Sequence, residues 1–151
     1  MVNLPPEDSS DDLSTLMAIE LNKETLALCN HGVYTDVVQA IECLNHAVDL
    51  DPVYSPAYNN LGMAYRRKGD HDKAIEYYEK ALEIDLEKLG PEHTEVAIRY
   101  NNLGVAYQSK GDCDRAIEYY EMALRIALER LGKNDPHTRM FQENLDSLSQ
   151  R

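Results

Sequence analysis

The sequence predicts an all-α fold of stacked helical hairpins, and three observations carry that prediction. First, the chain matches itself: residues 58–90 (YNNLGMAYRRKGDHDKAIEYYEKALEIDLEKLG) and 100–132 (YNNLGVAYQSKGDCDRAIEYYEMALRIALERLG) are identical at 24 of 33 positions, with a period of 100 − 58 = 42 residues. Second, apolar residues inside each copy recur at helical spacing, broken once by a glycine-centred turn. Third, the 151 residues are 43% hydrophobic and 28% charged with only 7 Gly and 6 Pro, the balance of a globular chain that can bury a core without disulfides or metal.

Taken in order, residues 1–12 (MVNLPPEDSSDD) are acidic and proline-containing, the reverse of a signal or transit peptide, and are expected to be disordered. Residues 13–54 form a degenerate first unit. Its second helix spans Asp36–Leu50, because Ala40-Ile41-Glu42 lies 74 − 40 = 34 residues before Ala74-Ile75-Glu76 and Ala47 aligns with Ala81. Its first helix, within about Leu13–His31, departs from the pattern: at the same offset Leu28 stands at the Gly62 position and His31 at the Tyr65 position. Gly32-Val33-Tyr34 implies a longer turn. Residues 55–96 are the second unit, with Tyr58, Leu61 and Tyr65 at i, i+3 and i+7 on one stripe. Gly69 then supplies a left-handed stop and Asp70 a cap for the next helix. That helix carries Ala74, Tyr78, Ala81, Leu82, Ile84, Leu86 and Leu89 before Gly90-Pro91 ends it. Residues 97–138 repeat the unit. Gly62, Ala74 and Ala81, and again Gly104, Ala116 and Ala123, put small residues where two helices approach closely. A hairpin of this kind cannot bury its own apolar face and must stack on a neighbour. The chain closes with a cap (139–151) within a helix read over 136–150. It carries Met140, Phe141, Leu145 and Leu148 on one side, to cover Leu124, Leu128 and Leu131, and a polar outer face. Seven helices result.

The pattern Tyr58-x2-Leu61-Gly62-x2-Tyr65 with Ala74-x3-Tyr78, repeated as Tyr100-x2-Leu103-Gly104-x2-Tyr107 with Ala116-x3-Tyr120, resembles the tetratricopeptide repeat, with Tyr in place of its usual Trp and Phe. The usual period is about 34. The added length, with LGPEHTEVA (89–97) and LGKNDPHTR (131–139) as linkers, is similar to the kinesin light chain variety. The resemblance covers about residues 55–151 and implies a right-handed α-α superhelix acting as a non-catalytic protein-interaction module.

Charge and motifs exclude other classes. With 15 basic and 27 acidic residues the chain carries a net −12, which disfavours nucleic acid and anionic membranes as partners. No apolar run approaches the ~18 residues of a membrane span. Cys29, Cys43 and Cys113 form no CxxC pair, as expected of buried small residues in a reducing, cytoplasmic setting. There is no G-x-S-x-G, phosphate-binding loop, dinucleotide fingerprint or HExxH, so neither enzyme activity nor a cofactor or metal is expected. Glu76, Glu79 and Glu83, and likewise Glu118 and Glu121, read as solvated helix faces. Tyr78 and Tyr120 take core positions, whereas Tyr77 and Tyr119 are left to line the helix-pair surface.

The resemblance implies that the first helix of each hairpin lines a concave groove. Stepping along that face gives Pro56, Asn60, Met63 and Arg67, then Ile98, Asn102, Val105 and Ser109, then Met140, Asn144, Ser147 and Arg151. Asn60, Asn102 and Asn144 thus form a row. Asparagine carries both donor and acceptor and can satisfy an extended peptide unit; it can equally fix adjacent helices. Asn59 and Asn101 point about 100° away, toward a neighbouring helix. Chaperone-binding members of the family grip a terminal carboxylate with basic residues beside the asparagine. Here the matching positions are Pro56, Met63, Ile98 and Val105, and the nearby cations are Arg66, Arg67 and Arg99. The expected ligand is therefore a partner peptide or helix seated on asparagines and the apolar Met63, Ile98 and Val105. The alternative is self-association into a homodimer or larger assembly through the solenoid ends or faces.

Overall fold

A computed structural model of the chain describes residues 9–30 and 37–150, with side chains over 12–26 and 37–150. Among these described residues seven helices follow in order: α1 (Ser9–Asn30), α2 (Val37–Leu50), α3 (Ser55–Lys68), α4 (His71–Leu89), α5 (Thr94–Lys110), α6 (Cys113–Arg130) and α7 (Pro136–Ser149). Consecutive helices pack on one another to give three antiparallel hairpins, α1–α2, α3–α4 and α5–α6, closed by α7. Helix α1 begins at Ser9, so the last four of the twelve residues expected to be disordered are helical. The remainder of that segment lies outside the described residues, as do Gly32-Val33-Tyr34 and Arg151.

Local chemistry sets the two hairpin turns identically. Gly69 (φ 88°) and Gly111 (φ 92°) adopt the left-handed conformation after α3 and α5, a region that costs a Cβ-bearing residue about 1 kcal/mol or more. The next residue caps the following helix: Asp70 accepts from the Lys73 amide and Asp112 from the Arg115 amide, both at 3.2 Å. Helix α5 is capped by His93 Nδ1, which accepts from the Glu95 amide, and α7 by Asp135, which accepts from the His137 amide.

Packing explains the repeat's small residues. A Cβ built on Gly62 would lie 2.6 Å from the Tyr78 ring, and one on Gly104 2.5 Å from the Tyr120 ring. Each tyrosine fills the space the glycine vacates and is fully buried. Burial pushes the Tyr120 phenol up to about 12, and its hydroxyl donates to Gln108 Oε1 at 2.7 Å. The apolar interior runs through all three hairpins from Ala18 to Leu148. A second cluster joins Val96, Ala97, Ala123, Leu124, Ile126 and Ala127 to Phe141 of α7. The cap thus covers a different set from the one expected. Leu124 is buried, but Leu128 and Leu131 stay 46% and 40% exposed, and Met140 of α7 is also exposed.

One hairpin junction is polar. Asp85, on α4, is buried against Arg99 of α5 at 2.8 Å, and the Ser55 hydroxyl at the start of α3 donates to the same carboxylate. Arg99 also reaches Glu95 at 3.4 Å.

Candidate binding face

Helices α1, α3, α5 and α7 share one face, and asparagine side chains join them into a ladder. Asn60 Nδ2 donates to Asn22 Oδ1 at 2.6 Å, Asn102 Nδ2 to Asn59 Oδ1 at 2.7 Å, and Asn144 Nδ2 to Asn101 Oδ1 at 2.8 Å. The second asparagine of each doublet reaches back to the preceding hairpin, while the first receives the following one. The two ends of the ladder need only one each: Asn22 accepts and Asn144 donates.

Of the two uses open to Asn60, Asn102 and Asn144, these bonds show the one that fixes adjacent helices. Asn60 is buried, Asn102 and Asn144 are half-buried, and each spends a donor inside the protein. A primary amide has two hydrogens and two acceptor lone pairs, so a rung consumes only part of its capacity. Asn59 and Asn101 face a neighbouring helix as their spacing predicts, with Asn101 only 5% exposed. The signal for this arrangement is in the sequence: doublets at 59–60 and 101–102, single asparagines at 22 and 144.

The ladder also fixes the register of the first hairpin. Asn22 plays the part of Asn59 and Asn101, so α1 is offset by 59 − 22 = 37 residues from α3, not the 34 that relates α2 to α4. Thr25, not Leu28, therefore holds the Gly62 position. It is buried, with its hydroxyl donating to the Leu21 carbonyl at 2.8 Å. At the Tyr78 position α2 carries the smaller Leu44, so a larger residue on one helix is matched by a smaller one on the other.

Beside the rungs, Met63, Ile98 and Val105 are half-buried, and Arg67 and Ser109 are exposed. Ser109 Oγ donates to the Val105 carbonyl at 2.9 Å. Of the three arginines expected nearby, Arg99 is withdrawn: it is 5% exposed and committed to Asp85. Among the described residues, no three His, Cys, Asp or Glu side chains are grouped to hold a metal ion, and no helix is long and apolar enough to cross a membrane.

The chain is 38% identical over 52 residues to the Tetratricopeptide repeat protein 36 homolog of Nematostella vectensis, a match covering 34% of this chain and 29% of that protein. The chain thus spans less than a third of that relative's length. Its fold is similar to the crystal structure of MamA (TM-score 0.62, 32% identity, 78% of this chain and 61% of that one). It is also similar to the first TPR of Spaghetti (RPAP3) bound to the HSP90 peptide SRMEEVD (TM-score 0.69, 20% identity, 90% and 93% covered). A family model described as Tetratricopeptide repeat matches residues 53–129, which is 77 of the 151 residues. The glycine–tyrosine contacts, the capped turns and this match lead to one conclusion: the chain belongs to the tetratricopeptide repeat family.

Proposed function

We propose that the chain is a non-catalytic interaction module that holds an extended or helical segment of a partner protein along the face of α3, α5 and α7. The observation that carries this reading is the placement of half-buried Met63, Ile98 and Val105 beside rungs of partly used amides. Apolar side chains of the ligand would seat on the first three, and its peptide groups would meet the remaining amide capacity of Asn60, Asn102 and Asn144. Arg67 and Ser109 would flank the path. Affinity would come from several modest contacts on a surface already ordered by the ladder. The related domain bound to SRMEEVD takes a peptide ending in Glu-Glu-Val-Asp. With Arg99 committed to Asp85, the ligand of this chain is assigned less acidic character. The 42-residue spacing supports a kinesin light chain-like placement within the family, and the free Cys43 and Cys113 suit a reducing cytoplasm.

Selection of peptides from a random display library tests the proposal. The wild-type chain should enrich a motif with apolar residues, and a Met63→Glu/Val105→Glu variant of unchanged melting temperature should not. Enrichment of the same motif by both proteins would remove the face from the mechanism.

A second reading has its own support. Leu13, Leu16 and Met17 form a stripe on α1 that is 59%, 62% and 47% exposed, a surface suited to self-association at the solenoid end. Light scattering across a hundredfold range of concentration tests it: constant monomer mass would exclude it.

A further inference from the structure

Both complete repeat hairpins carry a three-ring tyrosine stack. In α3–α4, Tyr77 stacks on Tyr65 (centroids 5.3 Å apart, planes 13° apart) and on Tyr58 (6.5 Å, 29°). In α5–α6, Tyr119 meets Tyr107 (5.5 Å, 10°) and Tyr100 (6.1 Å, 30°). One end of each stack already holds a cation from the chain itself. Lys73 Nζ lies 5.0 Å from the Tyr65 centroid, and the Arg115 guanidinium 5.4 Å from that of Tyr107, both within the ~6 Å reach of a cation–π contact.

The other ends differ. On the Tyr100 side the third hairpin carries Arg125, which bonds Glu92 at 3.0 Å and lies 3.9 Å from Glu129. One period earlier, 125 − 42 = 83, the residue is Glu83. There Tyr58 and Tyr77 line a cavity of about 360 Å³ together with Glu76, Glu79, Lys80 and Glu83. Three carboxylates face one ammonium, and Lys80 is itself paired with Glu83 at 3.3 Å. Burial raises the pKa of both phenols, so at neutral pH they offer uncharged oxygens and aromatic surface. The carboxylates do not stop at the cavity: Glu76, Glu79, Glu83 and Glu87 follow one side of α4 for roughly 16 Å at 1.5 Å per residue.

We propose that this cavity is a docking pocket for an arginine or lysine side chain of a basic peptide segment, which brings from outside the cation that the next hairpin carries in its own chain at the equivalent position, Arg125. The stripe of carboxylates along α4 extends the match to several cations on one chain and favours a peptide over a small free cation. The pocket is built mainly on α4, which contributes nothing to the asparagine rungs, so it operates whether or not the rung face binds a ligand. The net charge of −12 would speed the approach of such a segment.

Amide NMR titration of the full chain with acetyl-Arg-Arg-Arg-amide tests the pocket, with acetyl-Glu-Glu-Glu-amide as control and spermidine as the small-cation arm. Saturable shifts are expected across residues 76–83 and none with the glutamate peptide. Glu83→Arg, which places an internal cation as in the next hairpin, should weaken binding about tenfold or more with the melting temperature unchanged. Arg125→Glu should open a second pocket and add saturable shifts across residues 118–125. The proposal is overturned by an absence of saturable shifts up to about 10 mM peptide. Equal affinity in Glu83→Arg, or spermidine binding as tightly as the peptide, overturns it as well.

Discussion

At position 104 helix propensity favours alanine over glycine by about 1 kcal/mol, yet packing forbids the change. The Tyr120 ring occupies the Cβ site, 2.5 Å away, and it cannot retreat because the ring is fully buried. Gly104→Leu should therefore destabilise by about 1–3 kcal/mol through overpacking, read as a shift in urea midpoint. Pairing it with Tyr120→Leu should recover part of the loss, since α1 and α2 already combine Thr25 with Leu44 at these two positions. The same tyrosine predicts alkaline sensitivity. Its folded pKa of about 12 lies above the ordinary phenol value of about 10, and the phenol is buried neutral. Its contribution is complete below pH 10 and should fade as pH rises toward 12, seen as a declining melting temperature that Tyr120→Phe flattens. The asparagines make a third case. Asn102→Ala should lower stability by about 0.5–1.5 kcal/mol, since its donor is spent on Asn59. In a double-mutant cycle the Asn59→Ala/Asn102→Ala pair should cost less than the two single losses added together. Strict additivity would mean that the 2.7 Å contact contributes nothing.

Two consecutive junctions between elements solve one problem with opposite chemistries. Between the second and third hairpins the buried positions are Ser55, Asp85 and Arg99; one period later they are Ala97, Ala127 and Phe141, all of them buried. Removing one partner of a buried ion pair strands the other charge, so Arg99→Ala should cost about 3–5 kcal/mol. Transplanting the apolar junction, Ser55→Ala/Asp85→Ala/Arg99→Phe, should be neutral or stabilising by comparison with wild type, measured as the chemical denaturation midpoint. This junction also shows where reading the sequence stops. The 42-residue repeat, the Gly–Asp turns and the Ala-rich contacts were legible because they depend on local spacing and recur in register. Arg99 looked like an available cation because its burial depends on Asp85, a residue fourteen positions away that the next repeat replaces with alanine. The asparagine row was visible as a row, but its use was not. Which amide meets which depends on the stagger of helices in different hairpins, and only the doublets in the middle with single asparagines at the ends hinted at it. The three-residue register error in α1 had the same origin, since a 34-residue offset holds for α2 and fails for the helix before it.

Across the whole molecule, a stack of hairpins is stabilised through nearest neighbours, so its ends decide whether it stays folded and monomeric. Helix α7 supplies that end by burying Phe141 and Leu148, 1% and 6% exposed, against α5 and α6. Its amide Asn144 also gives Asn101 its partner. By contrast Leu128 of the last hairpin and Leu131 just after it remain partly exposed, so the cap does not bury them as it buries its own Phe141. Phe141→Ala should accordingly cost about 3–5 kcal/mol, as expected for a large ring lost from a packed site. Leu128→Ala should stay within about 0.5 kcal/mol of wild type, as exposed substitutions do. Deleting residues 136–151 removes the ring, the leucine and the rung together and bares Ala97, Ala123, Leu124 and Ala127, which belong to the cluster that Phe141 closes. The truncated chain should melt earlier than the Phe141→Ala variant and gain mass with concentration in light scattering, as uncovered apolar surface on the last hairpin finds another copy. A truncated chain that remains monomeric and as stable as the full one would mean that the α5–α6 hairpin closes the solenoid by itself.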